Sequence, residues 1–137
     1  MNSISNNLYI GLFHIASSNF IKSIVVLDVR ENKITDEGVV FITGSNVFSN
    51  LIKLFISNNN LGPEGAKALA SATNMTHLQY LDISYNRIGS EGWRAIADSD
   101  AFPMLNGLYI YYGNEIDEYT KNYLQKSKTL KNLSSLT

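Results

Sequence analysis

The chain contains no cysteine among its 137 residues, so it can hold neither a disulfide framework nor a thiolate metal site. That fits a reducing compartment. Charge is also scarce, at 17% of residues with a net of −1, and the lysines and arginines are scattered. No basic field therefore points to nucleic acid or to an anionic membrane as a partner. There is no glycine-rich phosphate loop, no serine nucleophile elbow and no zinc signature, and no cofactor or metal is expected. The longest apolar stretch near the start runs from Leu8 to Ala16, but no Lys or Arg precedes it and no small-x-small cleavage pattern follows. It is read as a structural helix rather than a targeting peptide. What the chain does have is apolar content: a hydrophobic fraction of 45% with so little charge supports one continuous core, which excludes disorder.

That apolar content is periodic. Ile24-x-x-Leu27-x-Val29-x-x-Asn32-x-Ile34 returns 27 residues later as Leu51, Leu54, Ile56, Asn59 and Leu61. It returns again as Leu78, Leu81, Ile83, Asn86 and Ile88, and a glycine follows each copy at Gly38, Gly65 and Gly92. A fixed period of this length is the mark of a stacked solenoid. Leu54 and Ile56 alternate with Phe55 and Ser57, as a strand requires. The Asn amide offers both donor and acceptor, so a stack of Asn32, Asn59 and Asn86 is expected to satisfy turn backbone groups. Asp36-Glu37, Pro63-Glu64 and Ser90-Glu91 put a start signal and an acid at the head of a helix. The recurrent glycine predicts a helix that approaches the strand layer too closely for a side chain.

The spacing predicts strands near 26–30, 53–57, 80–84 and 107–111, and helices beginning near 36, 63, 90 and 117. Ile15, Ile42, Leu69, Ile96 and Leu124 share one helical position; Ile21, Phe48, Met75, Phe102 and Leu130 share the turn back toward the sheet. Residues of about 7–23 read as the helical half of a partial first unit. In the fourth unit Asn114 and Ile116 come one residue late, with Gly113 in the slack and Thr120 in the glycine slot; Leu133 and Leu136 then open a fifth strand. The expected organisation is a single domain over 1–137: a partial unit or cap over 1–23, full units at 24–50, 51–77 and 78–104, and an atypical last unit with cap over 105–137.

The unit L-x-x-L-x-L-x-x-N-x-L, followed by a helix opening on x-x-E-G, resembles the ribonuclease-inhibitor-like class of leucine-rich repeats. The resemblance implies an α/β fold, a short right-handed horseshoe with its parallel sheet on the concave face and helices on the convex face. It also implies a protein-binding module. Asn-rich, Cys-free members of this size look like effectors that intracellular bacteria deliver into host cells, which would make the chain a virulence factor. The location implied is the cytoplasm, or a host cell if the protein is exported.

Outward strand positions form columns on the concave side. Val26, Lys53, Tyr80 and Gly107 make one; Asp28, Phe55, Asp82 and Tyr109 the next; Arg30, Ser57, Ser84 and Tyr111 a third; Glu31, Asn58, Tyr85 and Tyr112 the rim. The partner site is expected at Phe55, Tyr80, Asp82, Tyr85, Tyr109, Tyr111 and Tyr112, because such rings dominate interface hot spots. The competing reading is that the rings only pack on one another across strands. Catalysis is not expected: His14 and His77 share no register, and Asp28 and Asp82 stand two strands apart with Phe55 between, roughly 10 Å. Glu37, Glu64 and Glu91 read as a solvated edge. The alternative to a binding module is an assembly subunit, or the repeat portion of a larger protein whose activity lies elsewhere. The first strand should be a sheet edge, covered by the first few residues folding back, and a monomer is expected over self-association.

Overall fold

A computed structural model describes the backbone of residues 5–18, 23–110, 112–114, 116–132 and 135–136, and their side chains apart from 5–10 and 135–136. The strands are β1 (Val26–Asp28), β2 (Lys53–Phe55), β3 (Tyr80–Asp82), β4 (Gly107–Tyr109) and β5 (Ser135–Leu136). The helices are α1 (Ser5–Ala16), α2 (Asp36–Gly44), α3 (Pro63–Ala70), α4 (Gly89–Ala97) and α5 (Glu118–Gln125). The five strands form one sheet in chain order, every pair parallel and in the 27-residue register: Val26 lies beside Lys53, Lys53 beside Tyr80, and Tyr80 beside Gly107.

The predicted core is observed in the central units, while Ile15 of α1 is only partly buried against it. Leu54, Ile56, Leu81 and Ile83 point from the sheet toward Ile42, Leu69 and Ile96 of the helices, and Phe48, Met75 and Phe102 fill the return turns; all are buried. Leu27 and Val29 are 8% and 7% exposed, against 0% for Leu54 and Ile56 one unit on. The reason is that β1 is a sheet edge, with no strand on its outer side among the described residues. The residues expected to cover it, 1–4, lie outside those described, as do Ile21 and Leu133 of the predicted columns. Helix α1 is shorter than expected: it ends at Ala16, where Ser45 Oγ donates to the freed Ala16 carbonyl at 2.7 Å.

The regular strands end two residues earlier than predicted, although backbone bonds between units continue to the rim, where Glu31 N–H donates to the Ser57 carbonyl and Asn58 N–H to that of Ser84. Glu31, Asn58, Tyr85 and Tyr112 all have positive φ, between 51° and 64°, in the left-handed region. This one column, just before the Asn, turns the chain out of the sheet in every unit. Non-glycine residues reach that region only at an energetic cost. The asparagines hold the turns in place. Asn59 Oδ1 accepts from the backbone N–H of Asn32 and Ile34, at 3.0 and 2.8 Å, while its Nδ2 donates to the carbonyls of Val29, Ile56 and Ser57. Asn86 repeats this with Leu61 N–H and the carbonyls of Ile56, Ile83 and Ser84. Asn114 keeps the same post despite its late arrival, because Gly113 absorbs the extra residue at φ +74°.

The glycine column is a correction in part. A Cβ on Gly92 would lie 2.8 Å from Ala66 Cβ and 3.3 Å from Pro63 Cα, both in the preceding helix α3, as well as 2.7 Å from Ile88 Cγ2. On Gly65 it would meet Asp36 of α2 at 2.5 Å. At Gly65 and Gly92 the tight approach is therefore to the first turn of the neighbouring helix, and at Gly38 and Gly92 a Cβ would also meet Ile34 and Ile88 of their own units at 2.6 and 2.7 Å, rather than the strand layer. Asp36 needs that proximity, since its Oδ1 accepts from Gly62 N–H at 2.7 Å and ties α2 to the start of α3. Gly11, in α1, has nothing within 4 Å of a Cβ.

Candidate protein-binding surface

The sheet sets up the site by alternation. With Leu54, Leu81 and Leu108 turned into the core, residues on either side of each leucine must face the concave side. Phe55, Tyr80, Asp82 and Tyr109 are half-buried there and line one open depression of about 360 Å³, together with Arg30 and Lys53. Gly107 makes this possible. A Cβ at that position would sit 2.8 Å from the Tyr80 ring and 3.5 Å from that of Tyr109, so the missing side chain lets both rings lie against the sheet.

Two cations complete the floor, and the sequence reading had not included them. The Arg30 guanidinium sits 5.4 Å from the centroid of Phe55, and Lys53 Nζ sits 5.1 Å from that of Tyr80. Arg30 is anchored from behind: its Nε and Nη2 donate to the two carboxylate oxygens of Asp28 at 2.8 and 2.6 Å. That hydrogen bonding holds the Asp28 carboxyl below the ordinary aspartate range, while desolvation opposes the shift. Asp82 Oδ1 accepts from Ser84 N–H at 3.1 Å. The signal for Arg30 and Lys53 was present in the register, since each lies one strand from a ring its side chain can reach.

The remaining predicted residues do not join the depression. Tyr85 and Tyr112 stand at the rim, 51% and 69% exposed, with rings stacked at 5.1 Å and 15°. The two rings pack on each other across neighbouring units while staying exposed to solvent. Tyr111 lies outside the described residues. Asp28 and Asp82 are kept apart by Phe55, which pairs with both. The acidic row is less free than expected, because Lys67 Nζ bridges Glu64 and Glu91 at 2.8 and 3.1 Å. Among the described residues, no group of three or more His, Asp or Glu could hold a metal ion, and no helix is long and apolar enough to cross a membrane.

This architecture is that of a leucine-rich repeat solenoid. The chain carries three repeats of that family: the Leucine Rich repeat family model matches residues 21–42, 49–70 and 74–97. Among solved structures, the chain is similar to actin-binding site 2 of leiomodin-1. The TM-score is 0.72 at 18% identity, over 99% of this chain and 79% of that one. It is also similar to the tropomodulin C-terminal domain of Caenorhabditis elegans. There the TM-score is 0.57 at 10% identity, over 93% and 92% of the two chains. At such identities the likeness is one of fold. No curated protein matches the sequence significantly.

Proposed function

We propose that the chain is a protein-binding module that takes a segment of its partner into the concave depression at Phe55, Tyr80, Asp82 and Tyr109. The observation that carries this is the convergence of three rings and two ring-stacked cations on one open depression of about 360 Å³. Aromatic and arginine side chains supply most of the energy at interfaces, because they bury large rigid surfaces at low entropic cost. The chain acts here by binding, without catalysis or cofactor. With this goes a cytoplasmic location, or the interior of a host cell if the Asn-rich, Cys-free composition marks an exported bacterial effector of the ribonuclease-inhibitor-like class; both rest on composition. A structural role is the second reading, favoured by the β1 edge, which has no strand on its outer side among the described residues, and by the Tyr85–Tyr112 stack.

The test compares immobilised wild type with a Tyr80→Ala/Tyr109→Ala variant for capture of a partner from lysate. Because the leiomodin-1 domain is an actin-binding site, filamentous actin is the first defined partner to assay, by co-sedimentation. Loss of two hot-spot rings should weaken capture by roughly thirtyfold or more with little change in melting temperature. Unchanged capture refutes the binding reading. A collapse of the melting temperature supports the structural one.

A further inference from the structure

The depression has a polarity along its floor that narrows what can fill it. The charge of Arg30 is compensated by its two-point contact with Asp28, so it presents a fixed planar group over Phe55 and little net charge. Lys53 differs. Its ammonium rests on the Tyr80 ring, yet among the described residues it forms no ion pair. A ring face satisfies one side of an ammonium and leaves its other N–H donors to solvent. Asp82, at the Tyr109 end, already receives the Ser84 N–H. With Asp28 neutralising Arg30, the lining carries one unpaired cation, at the Lys53 end, and one carboxylate, Asp82, at the Tyr109 end, with the rings of Phe55, Tyr80 and Tyr109 beside them.

We propose that the occupant of this depression is an acidic-apolar segment of the partner, one carboxylate seated on Lys53 and the adjoining apolar or aromatic side chains laid across Phe55, Tyr80 and Tyr109. This rests on the concave face being the binding face. The arrangement rejects a basic segment by the same logic. A cation over Lys53 meets like charge at close range, and Tyr80 and Phe55 each already carry a cation of this chain on the ring. Discrimination of this kind, built from one attraction and one repulsion, is how interfaces choose among similar ligands.

The test titrates isotopically labelled protein with a short synthetic peptide of alternating glutamate and leucine, and with its counterpart carrying lysine for glutamate. Amide shifts are followed by NMR. The glutamate peptide should perturb β2, β3 and β4, while the lysine peptide perturbs them at least about tenfold more weakly, as expected for like charges brought together. Lys53→Glu should weaken the glutamate peptide by about tenfold and Lys53→Met by about two- to fivefold, the range of a partly exposed ion pair. Lys128→Glu, on the segment between α5 and β5, makes the same charge change away from the depression and should have no effect. Since Lys53 is exposed, both Lys53 variants should fold, which an amide spectrum verifies. Equal or stronger binding of the lysine peptide overturns the proposal, and so does the absence of shifts with either peptide. Concave shifts that depend on protein concentration alone overturn it in favour of a second copy as occupant. None of these touches the binding reading itself, which fails only if the Tyr80→Ala/Tyr109→Ala variant retains full capture.

Discussion

Replacing Asn86 by alanine tests the repeat at its most connected point. Asn86 is 2% exposed; its Oδ1 accepts one hydrogen bond and the two hydrogens of its Nδ2 are shared among three carbonyls. These bonds do not count equally. The Ile56 carbonyl also receives Asn59 Nδ2, the Ile83 carbonyl receives Asn114 Nδ2, and the Ser84 carbonyl receives Asn58 N–H. Each therefore keeps a partner when Asn86 is lost. The Leu61 N–H does not: it is buried and bonds to Asn86 Oδ1 at 3.0 Å. One orphaned buried donor costs about 1–3 kcal/mol, and the three weakened acceptors and the vacated volume add roughly another 1. Asn86→Ala should thus destabilise by about 2–4 kcal/mol, read from urea midpoints at constant slope. Asn32→Ala is the internal standard, since the Asn32 side chain is half-buried and donates only to the Arg30 carbonyl. Its cost should be about 0.5–1.5 kcal/mol. The double variant Asn59→Ala/Asn86→Ala should cost more than the sum of its parts, because only then does the Ile56 carbonyl lose both donors. Equal losses for Asn32 and Asn86, or strict additivity in the double variant, would refute the ladder as the element that holds the turns.

The glycine column makes a second test: Gly92→Ala should destabilise by about 1–3 kcal/mol through its clash with Ala66 and Pro63. Gly11→Ala, with open space around it, should stabilise by roughly 0.5–1 kcal/mol through helix propensity; thermal melts of the pair decide. The Asp28 carboxyl should titrate below the ordinary aspartate range by NMR, and Arg30→Gln should return it to that range. Asp117 Oδ1 caps α5 by accepting Thr120 N–H at 2.7 Å, and its pKa is lowered by that bond. Its folded pKa lies below the unfolded one, so its contribution is full above the unfolded value and is lost as pH falls through the folded value. Asp117→Asn should therefore flatten the acid limb of the stability curve.

The strands, helices and core were legible because the 27-residue period superimposes three signals on the same positions. Leu54 alternates with Phe55, Asn59 closes the strand, and Pro63-Glu64 opens the helix. What escaped was whatever depends on contact between units rather than on pattern within one. The left-handed column Glu31, Asn58, Tyr85 and Tyr112 has no common residue type, so no propensity marks it. A second ladder, in which Ser45, Ser99 and Ser127 donate to the last carbonyls of the preceding helices, is broken in sequence by Ala72. Asn74 serves there instead, donating to the Ser45 carbonyl at 2.8 Å. In the candidate site, Phe55, Tyr80, Asp82 and Tyr109 could be read from strand alternation alone. Arg30 and Lys53 fall in the same outward columns, but their contacts with Phe55 and Tyr80 depend on side-chain direction, which alternation does not give. The stacking of the rim pair was also hidden, because Tyr85 and Tyr112 take left-handed backbone and meet each other at the rim rather than in the depression.

The central claim, that this protein works through its concave face, is tested most directly by site-specific photo-crosslinking. A photoreactive amino acid placed at Phe55, inside the depression, is compared with one at Lys126, on the exposed end of α5. Irradiation in lysate should give discrete partner adducts from position 55 and none of the same mass from position 126. Adducts from position 126 with none from position 55 would contradict the account.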